Sequence, residues 1–267
     1  MASGAIYALS AAMGILAFAS PFLTAAQTGT ALSGAKAALA MMALIGLSLV
    51  ALLIEMQGRS LDARTVALLG VLVATTSVLR FVEVILPMPG GFSPVFVPII
   101  LAGYVFGARF GFLMGAFTLL VSAMITGGVG PWLPYQMYAA GWVGMTAGWL
   151  GRAGGGNRAM AARSLAPRHL ILLAVFSFAW GFLYGAIMNV YFWPYAVGSA
   201  EQSWAAGIGF AEMLSRYAAF YAVTSLGWDL LRAIGNVVLI LLLASPTVRV
   251  LQRFRQRFHF AVQAAHD

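Results

Sequence analysis

Residues 95–126 read VFVPIILAGYVFGARFGFLMGAFTLLVSAMIT, two apolar runs, 95–107 and 110–126, that meet across Gly107, Ala108 and Arg109. A helix rises about 1.5 Å per residue, so each run is short of the roughly 30 Å of a bilayer's hydrocarbon core. Such helices are expected to tilt or to stop below the surface, and short helices leave room for a cavity. Arg109 is the only charge in the stretch, and a charge between two apolar runs marks a turn at the membrane face.

Further apolar segments lie outward on both sides, at about 5–24, 37–55, 65–86, 135–151, 169–192 and 212–245. The expected fold is all-α: a polytopic membrane helix bundle of about eight transmembrane helices. The chain has 267 residues, 62% hydrophobic and 8% charged, with a mean hydropathy of +0.92, whereas a soluble domain is about 25% charged. That length leaves no room for a fused ATPase, kinase or nucleic-acid module. No Lys or Arg precedes the first apolar stretch, so it lacks the basic start of a cleavable signal peptide and is read as a helix.

The formal charge of +8 is not gathered into a patch of the kind that binds nucleic acid. With an even number of spans, one side carries Arg59, Arg64, Arg109, Arg152, Arg158, Arg163, Arg168, Arg249, Arg253, Arg255 and Arg257, and the other little more than Lys36. The positive-inside rule then places both termini in the cytoplasm. The linker 151–168 is glycine-rich and basic and reads as a flexible cytoplasmic connection; it lacks the Gly-Lys-Ser/Thr of a phosphate loop. The stretch after Pro246 is expected to be a separate basic helix on anionic lipid.

The opposite loops carry proline and aromatic residues in place of charge: 87–94, PMPGGFSP; 127–136, GGVGPWLPYQ; and 191–195, YFWPY. Ordered loops of this kind can form a lid or pocket mouth. An interfacial aromatic belt would use the same residues.

Ionisable groups inside spans are costly and are candidates for function. Arg80 and Glu83, three apart on one helix face, can pair with each other; they either snorkel to the interface or bind ligand. Asp229 and Arg232 repeat that spacing with Asn236 beyond, and an internal pair fixing helix packing accounts for them. Cysteine is absent, and His169, His259 and His266 share no helix at ligand spacing, so no metal site is expected. No nucleophile elbow or His-Glu-x-x-His occurs, so neither catalytic residues nor cofactors are assigned. Gly70 and Ala74 form a small-xxx-small pair at which another helix could approach closely.

From about residue 65 the chain resembles the substrate-binding S components of energy-coupling factor (ECF) transporters. The resemblance rests on Leu79-Arg80-Phe81, on 98–115 (PIILAGYVFGARFGFLMG), and most specifically on 130–137 (GPWLPYQM), which is similar to the loop of the cobalamin-type members. It implies a six-helix vitamin-binding core at 61–247, preceded by two extra helices at 1–60 and followed by a basic tail at 248–267. It also implies a bacterial or archaeal cell membrane, and a transmembrane T subunit and two cytoplasmic ATPases as partners. The substrate would lie under the three proline and aromatic loops.

On this reading Phe92, Ser93, Trp132, Tyr135 and Gln136 bind the ligand, Trp193 and Tyr195 close the mouth, and Arg80 and Glu83 contribute polar contacts. Gly70 and Ala74 are the nearest match to the family's small-residue docking motif for the T subunit. The ligand is expected to be a ring-bearing vitamin or related micronutrient, cobalamin or a precursor first. The alternatives are a self-sufficient carrier coupled to protons through Asp229 or Glu83, and a membrane scaffold without a ligand.

Overall fold

The computed structural model describes residues 2–27, 46, 63–86, 92–153 and 165–258. The second expected N-terminal helix (37–55, apart from Gly46), the start of the first proline loop (87–91), the linker core (154–164), and His259 and His266 lie outside the described residues. Eight helices are described, with no strand among these residues: α1 Ala2–Gln27, α2 Ala63–Ile85, α3 Phe96–Phe106, α4 Ala108–Thr126, α5 Leu133–Ala153, α6 Pro167–Phe192, α7 Phe210–Thr224 and α8 Leu226–Phe258. A single 3-10 turn, Trp193–Tyr195, follows α6.

Four stretches are long and apolar enough to cross a membrane: Ala63–Ile85, Ala108–Thr126, Pro167–Tyr195 and Leu226–Gln256. Shorter apolar stretches are Ala11–Phe22 and Phe96–Phe106. Helix α5 is rich in glycine and aromatic residues and lies against α3, α4 and α6, so most of its surface meets protein. Helix α2 packs on α4, while α8 packs on α6 and α3. Helix α1 rests against α5 and α6 from outside this six-helix group.

Glycine sets the closest approaches. A Cβ on Gly144 of α5 would lie 2.0 Å from the carbonyl oxygen of Gly111 in α4, and one on Gly111 would lie 2.1 Å from that of Gly144. Gly103 of α3 meets the same Gly144 carbonyl at 2.2 Å, so three helices converge on one residue. Lipid tails are as apolar as leucine, so helices in a membrane associate through such close backbone packing. The corner between α3 and α4 is the single residue Gly107, with φ +100° and ψ 174°, a region open in practice to glycine alone.

Two expectations about the last helix are corrected. The run 212–245 is not one helix: Ser225 interrupts it at φ −133°, and its hydroxyl accepts a hydrogen bond of 2.6 Å from Asn189 Nδ2 on α6. Helix α7, 15 residues long, reaches about 22 Å, has no buried residue and is tied to α6 and α8 by Tyr217 and Tyr221. Pro246, in turn, does not end α8, which continues to Phe258. Proline removes one backbone donor there, but Ala244, Val248 and Leu251 are buried and their packing keeps the helix intact.

Candidate functional site

The loops 92–95, 127–132 and 193–209 gather at one end of the bundle, and the expected site residues divide there into two groups. The first lies between α2, α6 and α8. Ser93, only 5% exposed, donates a hydrogen bond of 2.9 Å from its hydroxyl to Glu83 Oε2 on α2. The expected Arg80–Glu83 pair is thereby corrected: among the described residues the ion pairs are Arg216–Glu212 and Arg232–Asp229. The loop hydroxyl takes the carboxylate, while Arg80 and Arg232 both act on Glu83 across a longer distance.

Phe92, next in the loop, lies over α8 at Gly235, where a Cβ would come within 2.2 Å of the ring. Phe96 meets Tyr184 of α6 edge to face at 4.7 Å between centroids, and the Arg232 guanidinium stands 5.7 Å above the Tyr184 ring. Phe92 from the loop and Phe96 from α3 therefore close on a surface made by α6 and α8, while Ser93 ties the loop to α2.

Behind that surface runs a polar chain. Asp229, 1% exposed, pairs with Arg232 and accepts a hydrogen bond of 2.8 Å from the Tyr221 hydroxyl of α7. Arg232 also donates to the Gly181 carbonyl, at 3.3 Å. Asn236 donates to the Ser177 carbonyl at 3.4 Å, while its Oδ1 and the Arg232 Nε are buried without a partner. A buried polar atom left unsatisfied is costly, and these two lie one turn apart on α8, Arg232 beside Tyr184 and Asn236 beside Ser177. Gly185 makes the arrangement possible, since a Cβ there would fall 1.9 Å from Asp229 Oδ2. Tyr217 donates to the Ala186 carbonyl, and its phenol is pushed above the ordinary range by burial and by the Asp229 charge.

The second group sits against α1. Tyr135 is buried and shares a hydrogen bond of 3.1 Å with Ser20, and its ring lies 4.3 Å from that of Tyr191, which in turn lies 6.5 Å from that of Tyr195. Tyr195 is 52% exposed and stands at the surface. Trp193 is 2% exposed: its indole donates to the Gln202 carbonyl at 2.8 Å and packs on Tyr217 and Phe22. It anchors the turn. Trp132, 37% exposed, folds back over Gly130 and donates to the Gly128 carbonyl at 3.3 Å, so its ring closes its own loop. Gln136 is half-buried on the first turn of α5.

Beside this group an apolar cavity of about 630 Å³ opens between α1, α5, α6 and α7, walled among others by Phe18, Phe22, Trp142, Val190 and Leu214. Gly70 and Ala74 are exposed on α2, with nothing within 4 Å of where a Cβ on Gly70 would sit. Among the described residues no cluster of His, Cys, Asp or Glu could hold a metal ion.

The sequence offers Asp229 and Arg232 as an internal packing pair, with Asp229 also the candidate proton-coupling group of a carrier, and gives Tyr184, Tyr217 and Tyr221 no part in a site. Their signal was present in Gly181 and Gly185, four apart on α6, which mark the face that α8 approaches.

A family model described as "ECF transporter, substrate-specific component" matches residues 64–244. Neither the curated proteins nor the solved structures contain a match.

Proposed function

Because the chain belongs to the family of ECF transporter substrate-specific components, we propose that it captures a small organic micronutrient at the loop-rich end of its bundle. That end faces outward and the arginine-rich end faces the cytoplasm of a bacterial or archaeal cell. The observation that carries the site is the closure of the first loop: Ser93 on Glu83 and Phe92 on Gly235 tie α2, the loop and α8 around the Tyr184–Arg232 surface.

Two arginines and two carboxylates, Arg80, Arg232, Glu83 and Asp229, make a cluster without net charge. It favours a ligand that is itself close to neutral and offers both donors and acceptors. The buried Arg232 Nε and Asn236 Oδ1 supply one donor and one acceptor of their own. Phe92, Phe96 and Tyr184 add ring faces, which suit a ring-bearing vitamin or its precursor. Cobalamin or a precursor is the first named candidate, supported by the likeness of residues 130–137 to the loop of cobalamin-type members.

Energy comes from elsewhere. A transmembrane T subunit and two ATPases are the partners this role requires, and the exposed Gly70 and Ala74 on α2 offer the T subunit a face without bulky side chains. A self-driven proton carrier is less well supported, because Asp229 is held by both Arg232 and Tyr221 and Glu83 by Ser93.

The test is mass spectrometry of small molecules released by denaturing protein purified alone. Wild type should carry a ring-bearing compound. Ser93→Ala should lose it, since a hydrogen bond to a carboxylate is worth about 1.5–3 kcal/mol, or roughly a tenfold or greater fall in affinity. Trp132→Ala should also weaken binding while leaving folded yield intact. If wild type and both variants retain the same compounds equally, the site is elsewhere.

A further inference from the structure

Phe18 and Phe22 belong to α1, which precedes the residues matched to the family, 64–244. With Ile15 and Ala19 they make one stripe along that helix, at the i, i+3, i+4 and i+7 spacing of a single face. Across the cavity of about 630 Å³ the stripe faces Trp142 of α5, Val190 and Trp193 of α6, and Leu214 and Tyr217 of α7. Four helices therefore wall the space, and one of them is not supplied by the family's core.

The polar atoms on these walls are turned elsewhere. The Trp193 indole N–H donates to the Gln202 carbonyl, and the Tyr217 hydroxyl donates to the Ala186 carbonyl. The Trp142 N–H is buried, and its ring lies against α1 where a Cβ on Gly14 would come within 2.0 Å of it. The other described walls are aliphatic, phenyl or thioether side chains. A ligand that carried polar atoms into this space would leave them unsatisfied, which is costly.

Position in the bundle decides which apolar ligand reaches the cavity. The α1 stripe lies within the apolar stretch Ala11–Phe22, and Val190 and Trp193 lie within the membrane-length stretch Pro167–Tyr195. Ile15 stands near the middle of α1, a helix of 26 residues, so this wall reaches well below the loop-rich end. Ile15 and Leu214 are both exposed, so the described rim is apolar as well. The phase around such a span is lipid hydrocarbon.

We propose that this cavity holds one acyl chain of a bilayer phospholipid, seated between α1 and the core. Its volume falls within the roughly 300–1,000 Å³ of pockets that bury a small ligand. Left empty, it would forfeit the close contacts that hold membrane helices together. Helix α1 meets the core directly at Gly14 on Trp142 and at Ser20 on Tyr135. The acyl chain completes the contact where side chains leave a gap, so the lipid joins the additional helix to the six-helix group.

The experiment places the full chain in vesicles that contain phosphatidylcholine with a diazirine midway along one acyl chain. The protein is extracted, washed through lipid-free detergent, irradiated and digested, and adducts are mapped by mass spectrometry. Washing strips lipid that exchanges freely, so wild type should keep label on 15–22, 187–193 or 213–217. Ala19→Trp fills the cavity from α1 and should lower that retained label about tenfold or more, a fall in occupancy equivalent to about 1.4 kcal/mol. Its thermal unfolding midpoint should equal or exceed that of wild type, because the new ring stands where the chain lay.

The control is Leu16→Trp, which puts the same ring on an exposed part of α1 off the cavity wall. Its retained label should stay within about threefold of wild type, as for other surface changes. Equal losses in the two variants would overturn the proposal by tracing the effect to the surface of α1 in general. A wild type that keeps no label on these segments would overturn it too, and a lowered midpoint for Ala19→Trp in that case would assign the space to another segment of this chain. If Ala19→Trp does not fold, Leu214→Trp narrows the same cavity from α7, and an unchanged label there would overturn the proposal.

Discussion

Gly144→Ala is expected to abolish most folded protein, although it adds one methyl group to the most regular part of the bundle. The added Cβ would lie 2.0 Å from the Gly111 carbonyl oxygen and 2.4 Å from its carbon. Both are backbone atoms of a buried helix that is itself wedged against α3, so neither can rotate away. Overpacking of a core costs about 1–3 kcal/mol where side chains can shift. Here the crossing of α4 and α5 must widen, and the cost falls at or above the upper end of that range.

Gly70→Ala makes the comparison sharp. Nothing lies within 4 Å of its added Cβ, and alanine is the better helix former by about 1 kcal/mol, so this variant should match or exceed wild type in stability. The two differ only in what the methyl group meets. Yield of monodisperse protein and the midpoint of thermal unfolding in detergent read the contrast. Equal midpoints for the two variants would mean that α4 and α5 do not cross at Gly111 and Gly144.

Asp229→Ala is the second change with a large expected effect. It leaves the Arg232 guanidinium without its partner in a site where Asp229 is 1% exposed, and breaking a buried pair from one side costs about 3–5 kcal/mol. The loss should also release α7, whose Tyr221 hydroxyl is held by the same carboxylate. Proteolysis within 196–224 should therefore accelerate along with the fall in stability.

Removing both charges, Asp229→Ala with Arg232→Met, should recover much of the stability, because the penalty belongs to the unpaired ion. It should not recover ligand binding if Arg232 takes part in the site. Tyr221→Phe removes one hydrogen bond and should cost about 1 kcal/mol. A double variant no more stable than Asp229→Ala would show that the pair is held for reasons other than its mutual charge.

Most of the helices were legible because hydropathy is a strong signal. The helices around 65–86, 110–126, 135–151 and 169–192 lie where apolar runs are bounded by glycine, proline and arginine. The break at Ser225 left no such mark: Ser225-Leu226-Gly227 is brief and sits inside an apolar run, and what stops the helix is a hydrogen bond from Asn189, 36 residues earlier. Pro246 misled in the other direction, because proline is a local signal and the burial of Val248 and Leu251 that overrides it is a tertiary one.

The site shows the same division. That Phe92 and Ser93 belong near the C-terminal end of α2 could be read from the short stretch of chain that separates them from it. That Glu83 would turn to Ser93 instead of Arg80 depends on the path of the loop, which spacing along one helix cannot encode. Trp132 and Trp193 illustrate a second limit. Both looked like surfaces offered to a ligand, yet the indole of each first satisfies a backbone carbonyl in its own loop region, Gly128 and Gln202 respectively.

The central claim is capture by this chain with energy supplied by partners. It is tested most directly by uptake of the co-purifying compound into vesicles, comparing the chain alone with the chain joined to a T subunit and its two ATPases. Uptake is expected only with the partners present and ATP at the ATPases, and it should be indifferent to a proton gradient. Accumulation by the chain alone, driven by that gradient and lost when it collapses, would contradict the account and identify a self-sufficient carrier.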